Sequence, residues 1–178
     1  MLNTPAPASV PYYTPSDPAD LAFITQAIAE RVTALHTLLD TPPRAKASRS
    51  SALATANSSW LTVPWTVEDW DTDNMVDVGA APSRVTCKTA GRYDVRASVS
   101  WYPNSSGVRI VAIARNGQSV VNPDSRVPPA SGGWGTSHQL ADEITLNVGD
   151  YLEIRVFQTS GGNLNLDTSS LSARRIGS

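Results

Sequence analysis

The stretch from Gly91 to Trp101 constrains this chain more than any other. Tyr93, Val95, Ala97, Val99 and Trp101 alternate with Arg92, Asp94, Arg96, Ser98 and Ser100. Side chains along a strand point to opposite faces in turn, so a period of two predicts a strand with one buried and one wet face. Similar signals follow. Val108 to Arg115 reads as a strand closing on Asn116-Gly117, a strong two-residue hairpin signal. Residues 123–135, rich in Pro, Ser and Gly, read as a loop. Strands are then expected from His138 to Leu146 and from Tyr151 to Gln158, joined by the turn Val148-Gly149-Asp150. Gly161 and Gly162 mark a further turn before a last strand of about Leu171 to Ile176. No segment after residue 45 has helical periodicity. From Trp60 onward the expectation is an all-β domain of short strands, a sandwich or barrel.

The chain before this differs in kind. Pro5, Pro7, Pro11 and Pro15 fall within the first sixteen residues, with Tyr12 and Tyr13 between them. Proline fixes φ and removes amide donors, so residues 1–16 are expected to be an extended arm. Two readings of it are open: a floppy tail, or an arm that orders against a partner surface and anchors there through Tyr12 and Tyr13. A helix is predicted over residues 17–41. Asp17 caps it, Pro18 suits the first helical position, and Asp20 meets the free amides of the first turn. Leu21, Ile24, Ile28, Arg31, Leu35 and Leu38 then alternate spacings of three and four, and Pro42-Pro43 ends the run. A helix of about 24 residues is roughly 36 Å long. Leu and Ile in the first two seam positions favour a coiled coil of three or more strands over a dimer. The other reading is an ordinary helix packed on its own domain. Arg31 costs stability in such a seam unless it pairs with Glu30 of a neighbour or binds an ion on the axis. Residues 42–57 carry Pro42, Pro43, several serines and alanines, and the basic Arg44, Lys46 and Arg49. They read as a linker to a main domain over residues 58–178.

Composition bounds the function. A length of 178 residues suits one main domain plus an appendage, and 40% hydrophobic residues argue against global disorder. The net charge of −2, without a basic cluster of the kind that releases counterions from phosphates, speaks against a nucleic-acid partner. No stretch approaches the roughly 18 apolar residues of a membrane span, so no membrane insertion is expected. The first residues lack a basic region followed by an apolar core, and no secretory signal is expected. Cys87 is the single cysteine, which excludes an intrachain disulfide; it reads as a small buried hydrophobe on a strand.

Residue constellations that carry chemistry are sparse. Asp69, Asp71 and Asp73 with Asn74 resemble the opening of a calcium loop. The glycine due at the sixth position is absent, however, and the twelfth position is Ala80 in place of Glu. On a strand this spacing puts the three carboxylates on one face, where with Asp77 they make a weak candidate metal site. Solvated turn carboxylates are the plainer reading. His36 and His138 are far apart in sequence, and no Gly-x-Ser-x-Gly elbow is present. Asp142, Glu143 and Glu153 offer paired carboxylates of the type used in glycoside hydrolysis, as many β proteins do. No glycine loop has phosphate-binding spacing. Neither a catalytic residue nor a cofactor is expected. The segment PPASGGWGTSH is the most suggestive, and Trp134 within it has two readings. It is either an exposed ring on which a sugar stacks, with Tyr102 and Asn104 as companion receptor contacts, or a ring folded back over a sandwich edge.

The stretch TCKTAGRYDVRASVSW resembles the central strand of the jelly roll shared by the complement globular head and tumour-necrosis-factor-like proteins. There Gly-x-Tyr opens a long core strand, here Gly91 and Tyr93. LNVGDYLEIRV is similar to the Leu-x-x-Gly-Asp turn and strand of the same family, here Leu146, Gly149 and Asp150. WDTDNMVD, the Gly-Arg-Tyr strand, and Gly-Val-Arg before Asn116-Gly117 follow an order similar to that of many bacteriophage virion proteins. PYYTPSDPADLAFITQAIAERV resembles the start of actinobacterial-phage tail or fibre proteins. The resemblance covers roughly residues 11–35 and 58–176, and the closing SSLSARRI departs from it in lacking the usual aromatic and glycine.

What the resemblance implies is an antiparallel jelly-roll sandwich, preceded by an extended arm and one short α-helix, that forms a homotrimer and binds without catalysing. The expected role is a phage minor tail, tail-fibre or head-decoration protein, made in the host cytoplasm and placed on the virion exterior. Residues 1–40 would hold another virion protein, and the knob would meet a host-surface glycan or only decorate the particle. Five tryptophans supply more aromatic area than a small sandwich core needs, and a trimer axis is one place for it. Three heads on one stalk also gain avidity for a repetitive surface. The alternatives are a polysaccharide depolymerase on a phage tail and a cellular cytokine-like or adhesive jelly roll.

Overall fold

The computed structural model describes residues 18–119 and 124–177. The chain divides into two units, Met1–Thr41 and Pro42–Ser178. The first holds α1 (Pro18–Asp40), which begins at the proline that pre-sets its φ. Thr25, Thr33 and Thr37 donate their hydroxyls to carbonyls one turn back, those of Leu21, Ala29 and Thr33. The expected arm with Tyr12 and Tyr13, the cap Asp17 and the side chain of Leu38 lie outside the described residues.

The second unit is all strand and loop. Its elements are β1 (Arg44–Arg49), β2 (Leu53–Thr55), β3 (Leu61–Thr62), β4 (Val67–Asp71), β5 (Val85–Thr86) and β6 (Gly91–Trp101). After them come β7 (Arg109–Arg115), β8 (Gln118–Ser119), β9 (Ser125–Val127), β10 (Thr136–Leu146), β11 (Tyr151–Gln158) and β12 (Leu164–Gly177). Among the described residues they form two antiparallel sheets. One runs β10-β6-β12-β1-β4, with β2 also on β12. The other runs β3-β11-β7-β8, with β5 also on β11 and β9 on β7. Together they make an antiparallel jelly-roll sandwich.

Strand β6 behaves as its alternation predicts. Tyr93, Val95, Ala97, Val99 and Trp101 are buried, whereas Arg92 and Arg96 are exposed. These side chains meet Leu140, Ile144 and Leu146 of β10, Leu171 and Ala173 of β12, and Val111, Ile113, Leu152, Ile154 and Val156 of the facing sheet. Burying a large aliphatic or aromatic side chain in such a layer contributes about 1.5–3 kcal/mol. The hairpin at Asn116-Gly117 has φ values of 52° and 76°, the left-handed pair that a two-residue turn needs. Asn116 also ties this turn to the next one. Its Nδ2 donates to Asp150 Oδ1 at 2.7 Å, and its Oδ1 accepts from the Tyr151 amide at 3.0 Å.

Two expectations about organisation are corrected. Residues 42–57 are not a linker: β1 pairs with β12 from Arg44↔Arg174 to Arg49↔Ser169 and with β4 on its other side. The inward positions of β1 are Ala45 and Ala47, both fully buried. Alternating alanines between polar residues look like low-complexity linker, and pairing with a distant strand makes them core. The last strand begins at Leu164, not near Leu171. Leu164, Leu166, Ser169, Leu171 and Ala173 are buried, and the register shifts between Leu166 and Thr168. That bulge moves the inward phase by one residue and breaks the alternation that a linear reading follows.

The sandwich has two distinct poles. At one, the chain enters at Pro42-Pro43, the Pro43 carbonyl accepts from the Arg175 amide at 2.8 Å, and β6 starts beside the end of β10. At the other, β6 ends where β10 and β12 begin, with Trp101 opposite Thr136 and Leu166. The loops of residues 56–60, 102–108, 128–135 and 159–163 lie at this second, loop pole.

Candidate functional site

The loop pole collects the residues singled out as a receptor contact and separates their roles. Trp134 is 75% exposed, so the reading in which it folds back over an edge is set aside. Gly132 and Gly133 before it have φ of 72° and 79°, a conformation that L side chains avoid and that projects the loop outward. Tyr102 is also exposed, at 42%, and its amide donates to the Asn165 carbonyl at 2.9 Å. Asn104 is different. Its Oδ1 accepts from the Ser106 amide at 2.9 Å and from Arg109 Nη2 at 3.0 Å, so its oxygen holds the loop together.

Arg109 explains that loop. It is fully buried on the inner face of β7, opposite Gln158 of β11. Its Nη1 donates to the carbonyls of Ser106 at 2.8 Å and Val108 at 3.1 Å, and its Nη2 to that of Asn104 at 3.1 Å. Its guanidinium carbon lies 6.0 Å from the Trp101 ring centre. Burial pulls its pKa down from the usual arginine range. His138 faces the same layer from β10, buried, with Nδ1 2.8 Å from Ser125 Oγ. Burial, and then the Arg109 charge, push its pKa down to about 4. Gly107, at φ 76°, packs its α-carbon on Thr159, where a Cβ would collide with the Thr159 carbonyl.

The aspartates do not converge on a metal. Asp71 Oδ1 accepts from the Asp73 amide at 2.9 Å and its Oδ2 from the Val76 amide at 2.7 Å. Asp77 Oδ1 accepts from Ala80 and Gly79 at 2.8 and 2.9 Å, bonds that hold its carboxyl below the usual carboxylate range. Asp69 lies 3.8 Å from Lys46 Nζ. Asp71 and Asp73 are half-buried turn carboxylates, with Asp73 Oδ2 buried and unpartnered, and among the described residues no group of three or more His, Cys, Asp or Glu side chains is placed to hold an ion. Cys87 is buried just after β5, and burial raises its thiol pKa.

The carboxylates considered for glycoside hydrolysis are divided between the sheets. Asp142 and Glu143 are neighbours on β10 and both line an open pocket with Arg115 and Thr145, and Glu143 is paired to Arg92 at 3.5 Å. Glu153 is on β11 of the other sheet, where Oε1 accepts from Ser83 Oγ at 3.2 Å and Arg84 Nε at 3.3 Å.

On α1, the seam residues Leu21, Ile28 and Leu35 are 54%, 56% and 60% exposed, while Ile24 is half-buried and Arg31 exposed. Phe23 and Val32 are exposed as well, which widens the apolar surface beyond the six expected positions. Glu30, the proposed partner of Arg31, accepts from Gln26 Nε2 of its own helix at 3.1 Å.

Three residues have roles that their spacing does not announce. Arg109 sits in an almost wholly apolar strand whose inward phase is unreadable. His138 carried no partner in sequence. Trp60, exposed at 41%, stacks at 5.3 Å on Phe157, with the Arg155 guanidinium 5.3 Å from its ring.

No protein-family model and no curated protein sequence matches the chain. Solved structures do. The globular domain of zebrafish complement 1qA protein superposes with a TM-score of 0.52 at 14% identity, over 75% of this chain and 97% of that one. Murine APRIL superposes with a TM-score of 0.53 at 13% identity, over 74% of this chain and 98% of that one. The fold is therefore a jelly roll of the complement C1q/TNF-like class.

Proposed function

We propose that this protein is a homotrimeric structural component of a phage particle. In this reading residues 1–40 bind another virion protein, α1 forms the trimeric stalk, and the jelly roll is displayed outward for host attachment or decoration. The observation that carries the reading is the polarity of the β unit. The chain enters it at Pro42-Pro43 at one pole, and the exposed Trp134 and Tyr102 lie at the other. Exposed Leu21, Ile28 and Leu35 give α1 an apolar surface that water disfavours and identical helices cover. Trp134 offers a flat apolar ring of the kind on which sugars stack, and trimerisation presents three of them together.

The test combines mass in solution with particle assembly. A trimer at micromolar concentration is expected for the full chain, and a stable monomer refutes the stalk. Deleting residues 1–40 is expected to abolish incorporation into particles while the β unit stays folded. Continued incorporation removes the anchoring role. The depolymerase alternative draws little support from its carboxylates: Asp142 and Glu143 line one open pocket, but Glu143 is paired to Arg92 and Glu153 lies apart against Ser83 and Arg84.

A further inference from the structure

Four side-chain atoms in the interior of the β unit are buried without a hydrogen-bond partner near one another in the fold: Trp101 Nε1, Arg109 Nε, His138 Nε2 and Ser169 Oγ. Their residues are all at least nine-tenths buried. Ser169 and His138 flank Val99 on the inner face of one sheet, since both are in register with it. Trp101 is the next inward residue of β6, and Arg109 reaches its ring from the facing sheet.

The chemistry of these atoms is one-sided. Trp101 Nε1 and Arg109 Nε can only donate, and the Ser169 hydroxyl can donate. When the Ser125 hydroxyl donates to His138 Nδ1, the ring proton lies on Nε2, which donates too. Arg109 is charged, and the oxygens that accept from it are three carbonyls and one amide oxygen, all neutral. No carboxylate pairs with it among the described residues. A buried cation ordinarily has a counter-charge, because the interior does not solvate it. Unpartnered donors at neighbouring inward positions around an uncompensated guanidinium match a small monovalent anion. A water molecule meets the geometry of two donors but leaves the charge unbalanced.

We propose that a halide ion binds between the two sheets at the loop pole, held by Arg109 Nε, Trp101 Nε1 and His138 Nε2, with Ser169 Oγ as a fourth donor. This internal ion neutralises the arginine that staples the loop of residues 104–108. It is separate from the exposed Trp134 surface and does not depend on the proposed attachment role.

The experiment uses the full chain in sodium bromide against sodium methanesulfonate, whose anion is too large, at constant ionic strength. Bromide is expected to raise Tm saturably, by about 5–10 °C once it reaches roughly a hundred times its dissociation constant. Trp101→Phe keeps the ring and removes one donor, and is expected to shift the bromide midpoint upward about tenfold. Arg109→Gln is expected to abolish the shift. A crystal grown in bromide is expected to show an anomalous peak within hydrogen-bond reach of Arg109 Nε and Trp101 Nε1. Equal Tm in the two salts overturns the proposal. So does density for water at that position without anomalous signal, whichever variants fold.

Discussion

At the residue scale the loop pole separates exposed rings from buried staples, and the two respond to substitution in opposite ways. Trp134 makes no packing contribution that its exposure would allow, so Trp134→Ala is expected to leave stability within about 0.5 kcal/mol. The same change is expected to reduce adsorption of particles to host cells. Unchanged adsorption, with unfolding curves superimposed, removes Trp134 from attachment. His138 makes a prediction in pH. Its folded pKa of about 4 lies below the ordinary histidine value of 6.5 because of burial and the Arg109 charge. Between those values the unfolded chain binds more protons than the folded one. Stability is therefore full above about pH 6.5 and declines as the pH falls to about 4, by about 3 kcal/mol in all. His138→Gln should flatten that part of a stability-against-pH curve measured by denaturant titration. An identical slope in the variant assigns the loss to other groups. The exposure of Trp134 is open between two readings in the sequence, because its glycine neighbours permit either course of the loop. The role of Arg109 is not legible there either, since an apolar strand hides which of its residues face inward.

At the element scale β1 carries the sharpest correction. Its six paired residues sit between β12 and β4, so removing it exposes backbone donors and acceptors on both neighbours. A fragment of residues 42–178 is expected to unfold cooperatively. One of residues 58–178, cut at the boundary that composition implies, is expected to be unfolded or molten by near-ultraviolet circular dichroism. Equal cooperativity of the two fragments would show β1 and β2 to be dispensable. The start of α1 at Pro18 and the Asn116-Gly117 turn are legible because their chemistry acts over three or four residues. The strand at Arg44–Arg49 is not, because alanine at its inward positions carries too little apolar signal. On α1, Arg31→Ile is expected to raise the Tm of the trimer if Arg31 lies in its seam. A fall in Tm places it on the outside, where Val32 already supplies apolar surface.

At the scale of the whole molecule, the outward face of the larger sheet bears on how copies associate. Ser98, Ser100, Gln139, Ser170 and Ser172 occupy it, with Ser100 Oγ 3.0 Å from Ser137 Oγ and Gln139 Nε2 donating to Ser98 Oγ at 2.8 Å. That face is polar and already hydrogen-bonded to itself, whereas α1 exposes apolar side chains. Trimerisation is thus expected to depend on the helix. The 42–178 fragment should sediment as a monomer at micromolar concentration, while the full chain sediments as a trimer. A trimeric fragment would transfer the assembly role to the jelly roll.

The alternation of Tyr93 to Trp101, the turn at Asn116-Gly117 and the start of α1 at Pro18 were determined by the sequence itself. Each is a short-range effect of backbone sterics or side-chain direction, and needs no knowledge of distant residues. Tertiary structure decided the rest. It made β1 a core strand through pairing with β12, and placed Thr55 Oγ1 against the Leu164 carbonyl, 109 residues away. It reset the phase of β12 with a bulge and buried Arg109 beneath the loop that it holds. Those outcomes depend on which strands meet across the sandwich, and local propensity does not encode that partnership.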